Sequence, residues 1–133
     1  DDVETLILGG TFGTVNLTDN IDLTTLTFDA TAEDFTLHGS DVVSLEMDLI
    51  SAAAVTDGLT SVTIEDNAEL TSLTVNGTDD LNELVITGNG ELSSISFPDL
   101  DSASGEGAIA SISDNNFFLF ILSWNFFLNT VCF

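Results

Sequence analysis

The chain contains no lysine and no arginine among 133 residues, one histidine, one cysteine, one proline and no tyrosine. Against 23 Asp and Glu this leaves a formal charge of -23, with no side chain beyond His38 to oppose it. Each absence closes a class of function. Without Lys or Arg there is nothing to displace counterions from phosphates, so nucleic acid is excluded as a partner. The lysine of a phosphate-binding loop and that of a Schiff base are missing too. One cysteine, Cys132, permits no intrachain disulfide. Self-repulsion must be relieved by salt or bound cations.

What is present is a repeat. Leu59, Leu70, Leu81 and Leu92 open successive segments of 11 residues. Three positions later stand Val62, Leu73, Leu84 and Ile95, and five positions later Ile64, Val75, Ile86 and Phe97. Looser copies precede them: Val3, Leu6, Leu8; Phe12, Val15, Leu17; Leu23, Leu26, Phe28; Ala32, Phe35, Leu37; and Val42, Leu45, Met47. Positions three and five share one side of an extended chain, because side chains alternate with period two. Thr, Val, Ile and Phe fill these segments, while Gly, Asn and Asp fill the gaps, as at Asp66-Asn67, Asn76-Gly77 and Gly88-Asn89-Gly90. That chemistry predicts short strands separated by turns. Two copies make one coil of about 20 to 22 residues, in which no unit buries its apolar side alone. The expected fold is all-β: a single parallel β-solenoid, spanning residues 1–101. Ser51 to Val55, with three alanines, reads as a loop or a single helical turn inserted in a coil, and Pro98 ends a strand.

The copies Leu59-Thr-Ser-Val-Thr-Ile-Glu-Asp-Asn-Ala-Glu and Leu70-Thr-Ser-Leu-Thr-Val resemble leucine-rich-repeat solenoids of the receptor L-domain kind. They are similar in particular to repeats of lipid-anchored fungal cell-wall proteins and of secreted bacterial surface proteins. The resemblance covers residues 3–97. It implies stacked parallel strands, an extracellular or cell-surface location, and a non-catalytic structural or adhesive role; it carries no catalytic residues.

Several constellations compete with that reading. Carboxylates crowd the turns, among them Glu65, Asp66, Asp79 and Asp80, and oxygen-rich rows of this kind are the candidate calcium ligands. Neither the EF-hand spacing nor a glycine-rich calcium-binding nonapeptide is present, so a solvated acidic surface is the plainer reading, with no cofactor expected. Paired acids also raise a carbohydrate-active enzyme as a minor alternative, although abundant Asp gives pairs without any selection for chemistry. His38 has no recognisable serine and aspartate partners by spacing and reads as a surface histidine. Thr25 and Thr27, Thr60 and Thr63, and Thr71 and Thr74 raise an ice-binding surface, but their spacing gives no single register. Sequons at Asn16 and Asn76 are candidate glycosylation sites, each in or beside an expected turn.

The composition changes at the end of the chain. Residues 102–116 read as a small and polar linker or a final coil, and residues 117–133 as a hydrophobic tail without charge. As a helix the tail would span roughly 25 Å, short for a membrane crossing. Its layout fits a lipid-anchor signal. It also keeps the apolar frame at Phe117, Phe120, Leu122 and at Leu128, Val131, Phe133, which fits a terminal strand. In that form it offers an apolar edge for self-association, and a filament subunit is the alternative function.

Overall fold

A computed structural model describes residues 3–49, 61–76, 83–97, 109–116, 119–122 and 130–131. Its elements are β1 (Thr5–Thr18), β2 (Thr25–His38), β3 (Ser44–Leu49), β4 (Ser61–Glu65), β5 (Ser72–Asn76), β6 (Glu83–Thr87), β7 (Ser94–Phe97), β8 (Ile109–Ser113), β9 (Leu119–Leu122) and β10 (Thr130–Val131). All pairings are parallel, and no helix occurs among the described residues. Ser51 to Val55, Pro98 and Asp79–Asp80 lie outside the described residues.

The strand order β10-β8-β6-β4-β2-β3-β5-β7-β9 places β2 at the centre, with β1 also paired to it. The first half of β2 pairs with β3 and the second half with β4. From there the chain alternates between two runs: β3, β5, β7, β9 on one, and β4, β6, β8, β10 on the other. Each coil thus contributes one strand to each face of a solenoid. Val62 pairs with Leu84 and Leu73 with Ile95, a coil of about 22 residues built from two 11-residue copies.

The first two coils differ from the expectation of short separate strands. β1 and β2 are each 14 residues long, and each carries two apolar copies in one continuous strand. Small residues make this possible. Gly9, Gly10 and Gly13 sit at the middle of β1, with Gly10 at a φ of 110°, and buried Ala30 and Ala32 sit at the middle of β2. The chain therefore passes from one face to the other without breaking the ladder.

The core is formed by inward columns. On one face Leu26, Leu45, Leu73 and Ile95 follow one another in register, beside Phe28, Met47 and Val75. On the other, Phe35, Val62 and Leu84 run beside Leu37, Ile64, Ile86 and Ile112. Phe28 and Phe35 meet edge to face across the interior, with ring centroids 4.9 Å apart. The alternation of buried and part-exposed residues along β4 and β5 is the period-two pattern that the sequence carries.

Candidate functional site

One corner of the solenoid recurs in every coil. Asp19, Gly39, Asp66, Gly88 and Asp114 end β1, β2, β4, β6 and β8, and all five take the left-handed backbone, at φ of 56°, 63°, 54°, 69° and 54°. Asp and Gly are the residues that tolerate this conformation best. Their N–H groups extend the ladder: Asp19 donates to the His38 carbonyl at 2.9 Å, Gly39 to Glu65 at 3.2 Å, Asp66 to Thr87 at 3.1 Å, and Gly88 to Ser113 at 3.3 Å. Asp and Gly alternate because the aspartate leans over the next coil. A Cβ on Gly39 would lie 2.9 Å from Asp19 Oδ1, and one on Gly88 would lie closer still to Asp66 Oδ1.

From Gly39 onward the residue after each corner builds a polar spine, buried at Ser40, Asn67 and Asn89. Asn67 Nδ2 donates to the carbonyls of Leu37 (3.1 Å) and Glu65 (3.0 Å), and Asn89 Nδ2 to those of Ile64 (3.0 Å) and Thr87 (3.1 Å). Asn115 repeats the pattern with Ile86 and Ser113. Each side-chain oxygen accepts from the coil before it: Asn67 Oδ1 from Ser40 N–H and Oγ–H, Asn89 Oδ1 from Asn67 N–H, Asn115 Oδ1 from Asn89 N–H. Ser40, Asn67 and Asn89 are the buried polar residues of the described chain, and their pairing removes the cost of that burial. Further round the corner Thr24, Thr71 and Ser93 donate their hydroxyls to the carbonyls of Glu4, Val43 and Thr71.

His38 lies on this corner. Its Nδ1 is 3.6 Å from Asp19 Oδ1 and its Nε2 is 3.4 Å from Asp66 Oδ2, so the imidazole sits between carboxylates of the coils on either side. It is a half-buried bridging residue rather than a plain surface one. Of the calcium candidates, Glu65 is half-buried at the end of β4 and Asp66 is exposed beside it, while Asp79 and Asp80 lie outside the described residues. Among the described residues no group of three His, Cys, Asp or Glu is arranged to hold a metal ion. Asn16 is exposed in β1 and accepts a hydrogen bond from Thr18 Oγ; Asn76 is half-buried at the end of β5, its Nδ2 3.4 Å from Glu46 Oε1.

The outward faces carry an order that sequence spacing concealed. Thr5 pairs with Thr25, and in line with them Ser44 pairs with Ser72 and Ser72 with Ser94. The neighbouring column is Ile7, Thr27, Glu46, Thr74 and Ser96. On the other face Asn16, Thr36, Thr63, Val85 and Ser111 are in register. Thr27 and Thr74 thus share a column, Thr63 belongs to the opposite face, and Thr71 belongs to the corner; Thr60 lies outside the described residues. The missing register has a physical cause: coil length changes between Leu6, Leu26, Leu45 and Leu73, so constant spacing in space is not constant in sequence. The signal that could have revealed the corner is the recurring Asp-Asn or Gly-Asn pair followed three residues later by Leu, at Asn20 and Leu23, Asn67 and Leu70, Asn89 and Leu92. No protein-family model, curated protein or solved structure matches the chain.

Proposed function

We propose that this chain is a non-catalytic surface module of the extracellular space, with a structural or adhesive role at a cell wall or envelope. One observation carries the reading: the hydroxyl column of Thr5, Thr25, Ser44, Ser72 and Ser94, fixed in register on a sheet face. Side chains in such a column repeat every 4.7–4.9 Å or so, the separation of neighbouring strands. Each hydroxyl both donates and accepts, so the column offers a polymer a row of identical weak contacts. Individually these exchange with water at little net gain, and together they act as linked sites whose avidity exceeds any one of them. A polyhydroxylated wall polysaccharide is the ligand class with matching chemistry. The resemblance of the 11-residue copies to cell-surface repeats, including lipid-anchored ones, supports the same location.

The experiment is co-sedimentation of the full chain with insoluble wall polysaccharides in 1 M sodium chloride, where charge effects are screened to within about 3 Å. Retention is expected, and the double substitution Thr5→Val with Thr25→Val, both at exposed positions of the column, should weaken it while leaving the fold intact, because valine keeps the shape and the strand preference. Retention confined to low salt, or unchanged in the double variant, would overturn the reading.

A further inference from the structure

We infer that Asn16, and not Asn76, is the asparagine of this chain that carries an N-linked glycan, and that the glycan stands on the face of the solenoid opposite the hydroxyl column. The inference rests on the extracellular location proposed above and not on polysaccharide binding.

Two triplets have the acceptor spacing for this modification, Asn16-Leu17-Thr18 and Asn76-Gly77-Thr78, and the geometry separates them. Asn16 lies in the second half of β1, shortly before the Asp19 corner. Val15 is buried and Leu17 packs against the core, so the pleat sends the residue between them outward. Asn16 is exposed, as are Thr14 and Thr18, its neighbours on that side of the strand. The surroundings are small: Asn16 pairs across the ladder with Thr36, and a Cβ built on Gly13 would meet nothing within 4 Å.

The atoms of the triplet are also arranged for the chemistry. Thr18 Oγ donates to Asn16 Oδ1, so the hydroxyl of the triplet rests on the amide oxygen and not on Nδ2, the atom that takes the sugar. A donor on the oxygen polarises the amide and eases loss of a proton from nitrogen. In the transfer Nδ2 attacks the anomeric carbon of an oligosaccharide held on a lipid diphosphate. The N–C bond forms as the C–O bond to the diphosphate breaks, the amide proton passes to a base of the transferase, and the lipid diphosphate leaves. Asn76 differs on both counts. It is half-buried at the end of β5, and its Nδ2 is itself engaged, 3.4 Å from Glu46 Oε1.

The position suits the rest of the molecule. β1 carries no Asp or Glu over its 14 residues, so in a chain of formal charge -23 its outer surface is solvated without carboxylates, and a bulky neutral sugar supplies hydration there. The column of Asn16 continues through Thr36, Thr63, Val85 and Ser111, whereas Thr5, Thr25, Ser44, Ser72 and Ser94 lie on the other face. A glycan at Asn16 therefore leaves the hydroxyl column uncovered.

The test is to express the full chain behind a cleavable secretion signal in a eukaryotic cell and to digest it with a protease that cuts after Asp and Glu, since trypsin has no site in a chain without Lys or Arg. Residues 5–19 then form one peptide with Asn16 as its single asparagine, and residues 70–79 form one with Asn76. Releasing the sugars afterwards with an amidase converts each occupied asparagine to aspartate, and the peptide masses read the occupancy. Asn16 should be occupied, and more fully than Asn76. Asn16→Gln and Thr18→Val, both at exposed positions, should each remove the glycan from the first peptide while the protein is still secreted. A secreted protein with Asn16 unmodified, or with Asn76 occupied equally or more, would overturn the proposal. Retention on wall polysaccharide is scored separately on the same protein: its absence with Asn16 occupied overturns polysaccharide binding alone, and its presence with Asn16 bare overturns the glycan alone.

Discussion

Gly88 and Asp66 occupy the same corner position on successive coils, and the space of one is used by the other. Gly88 combines a left-handed φ of 69° with a neighbouring carboxylate where its Cβ would stand. Gly88→Ala therefore meets two penalties: the left-handed backbone, roughly 1–2 kcal/mol, and the collision with Asp66. Asp66→Gly removes only the second. Urea unfolding of the two single variants and the double variant should show Gly88→Ala markedly destabilised, with a coupling of about 0.5–3 kcal/mol recovered in the double variant. Strict additivity would mean that the alternation of Asp and Gly round this corner is not steric in origin. The glycine and aspartate types at these turns were legible from the sequence as turn residues. Their alternation was not, because it is imposed by contact between residues some 20 positions or more apart.

At the scale of the element, the strands and the corner divide the work. The strands supply apolar columns, and the corner supplies a spine of asparagines that fixes how far one coil is rotated against the next. Asn67 is fully buried and satisfies two carbonyls from different coils while accepting from Ser40. Asn20 holds the corresponding place in the first coil, exposed, its side chain donating to the nearby Thr18 carbonyl at 3.1 Å. Truncation should separate them. Asn67→Ala strands several buried groups at roughly 1–3 kcal/mol each, whereas Asn20→Ala should change stability by less than about 0.5 kcal/mol. Chemical denaturation measures both. Equal effects would show that the spine does not carry the stacking. The apolar frame at Leu73, Leu84 and Val62 was legible because burial repeats with the sequence period itself. The spine was less so, because a serine replaces asparagine at Ser40 and the coil lengths vary.

Over the whole molecule the question is how a chain without basic residues tolerates its charge. Stacked carboxylates on adjacent coils would stand about 5 Å apart and repel by roughly 3 kcal/mol at an effective dielectric near 20. The structure mostly avoids this. At the corner the acids alternate with glycine, so Asp19, Asp66 and Asp114 are two coils apart, about 10 Å. In the strands Asp34 is paired with Ser61, whose hydroxyl donates to it at 2.8 Å, and Glu65 with His38 and Thr87. Asp29 and Asp48 are register partners on adjacent strands. Salt should accordingly raise the melting temperature modestly, as the Debye length falls from about 10 Å at 0.1 M to about 3 Å at 1 M. Millimolar calcium should add little beyond its ionic strength. Melting curves in chelator, in 1 M sodium chloride and in millimolar calcium check this. A rise with calcium far above that with sodium would show a built cation site.

The sequence by itself determined that this is a parallel solenoid: the 11-residue frame sets which side of each strand faces inward, and the Asp-Asn, Gly-Ser and Gly-Asn pairs set where β1, β2, β4, β6 and β8 stop. It also determined the chemistry of the surface, since no basic side chain exists to place there. Tertiary structure alone decided which strands are neighbours. β2 is joined to β3 along one half and β4 along the other, and only that branching aligns Thr27 with Thr74, sets Asp66 over Gly88 and puts His38 between two aspartates. The physical reason is that periodicity along a chain is a local property, whereas register between coils depends on the length of every turn between them.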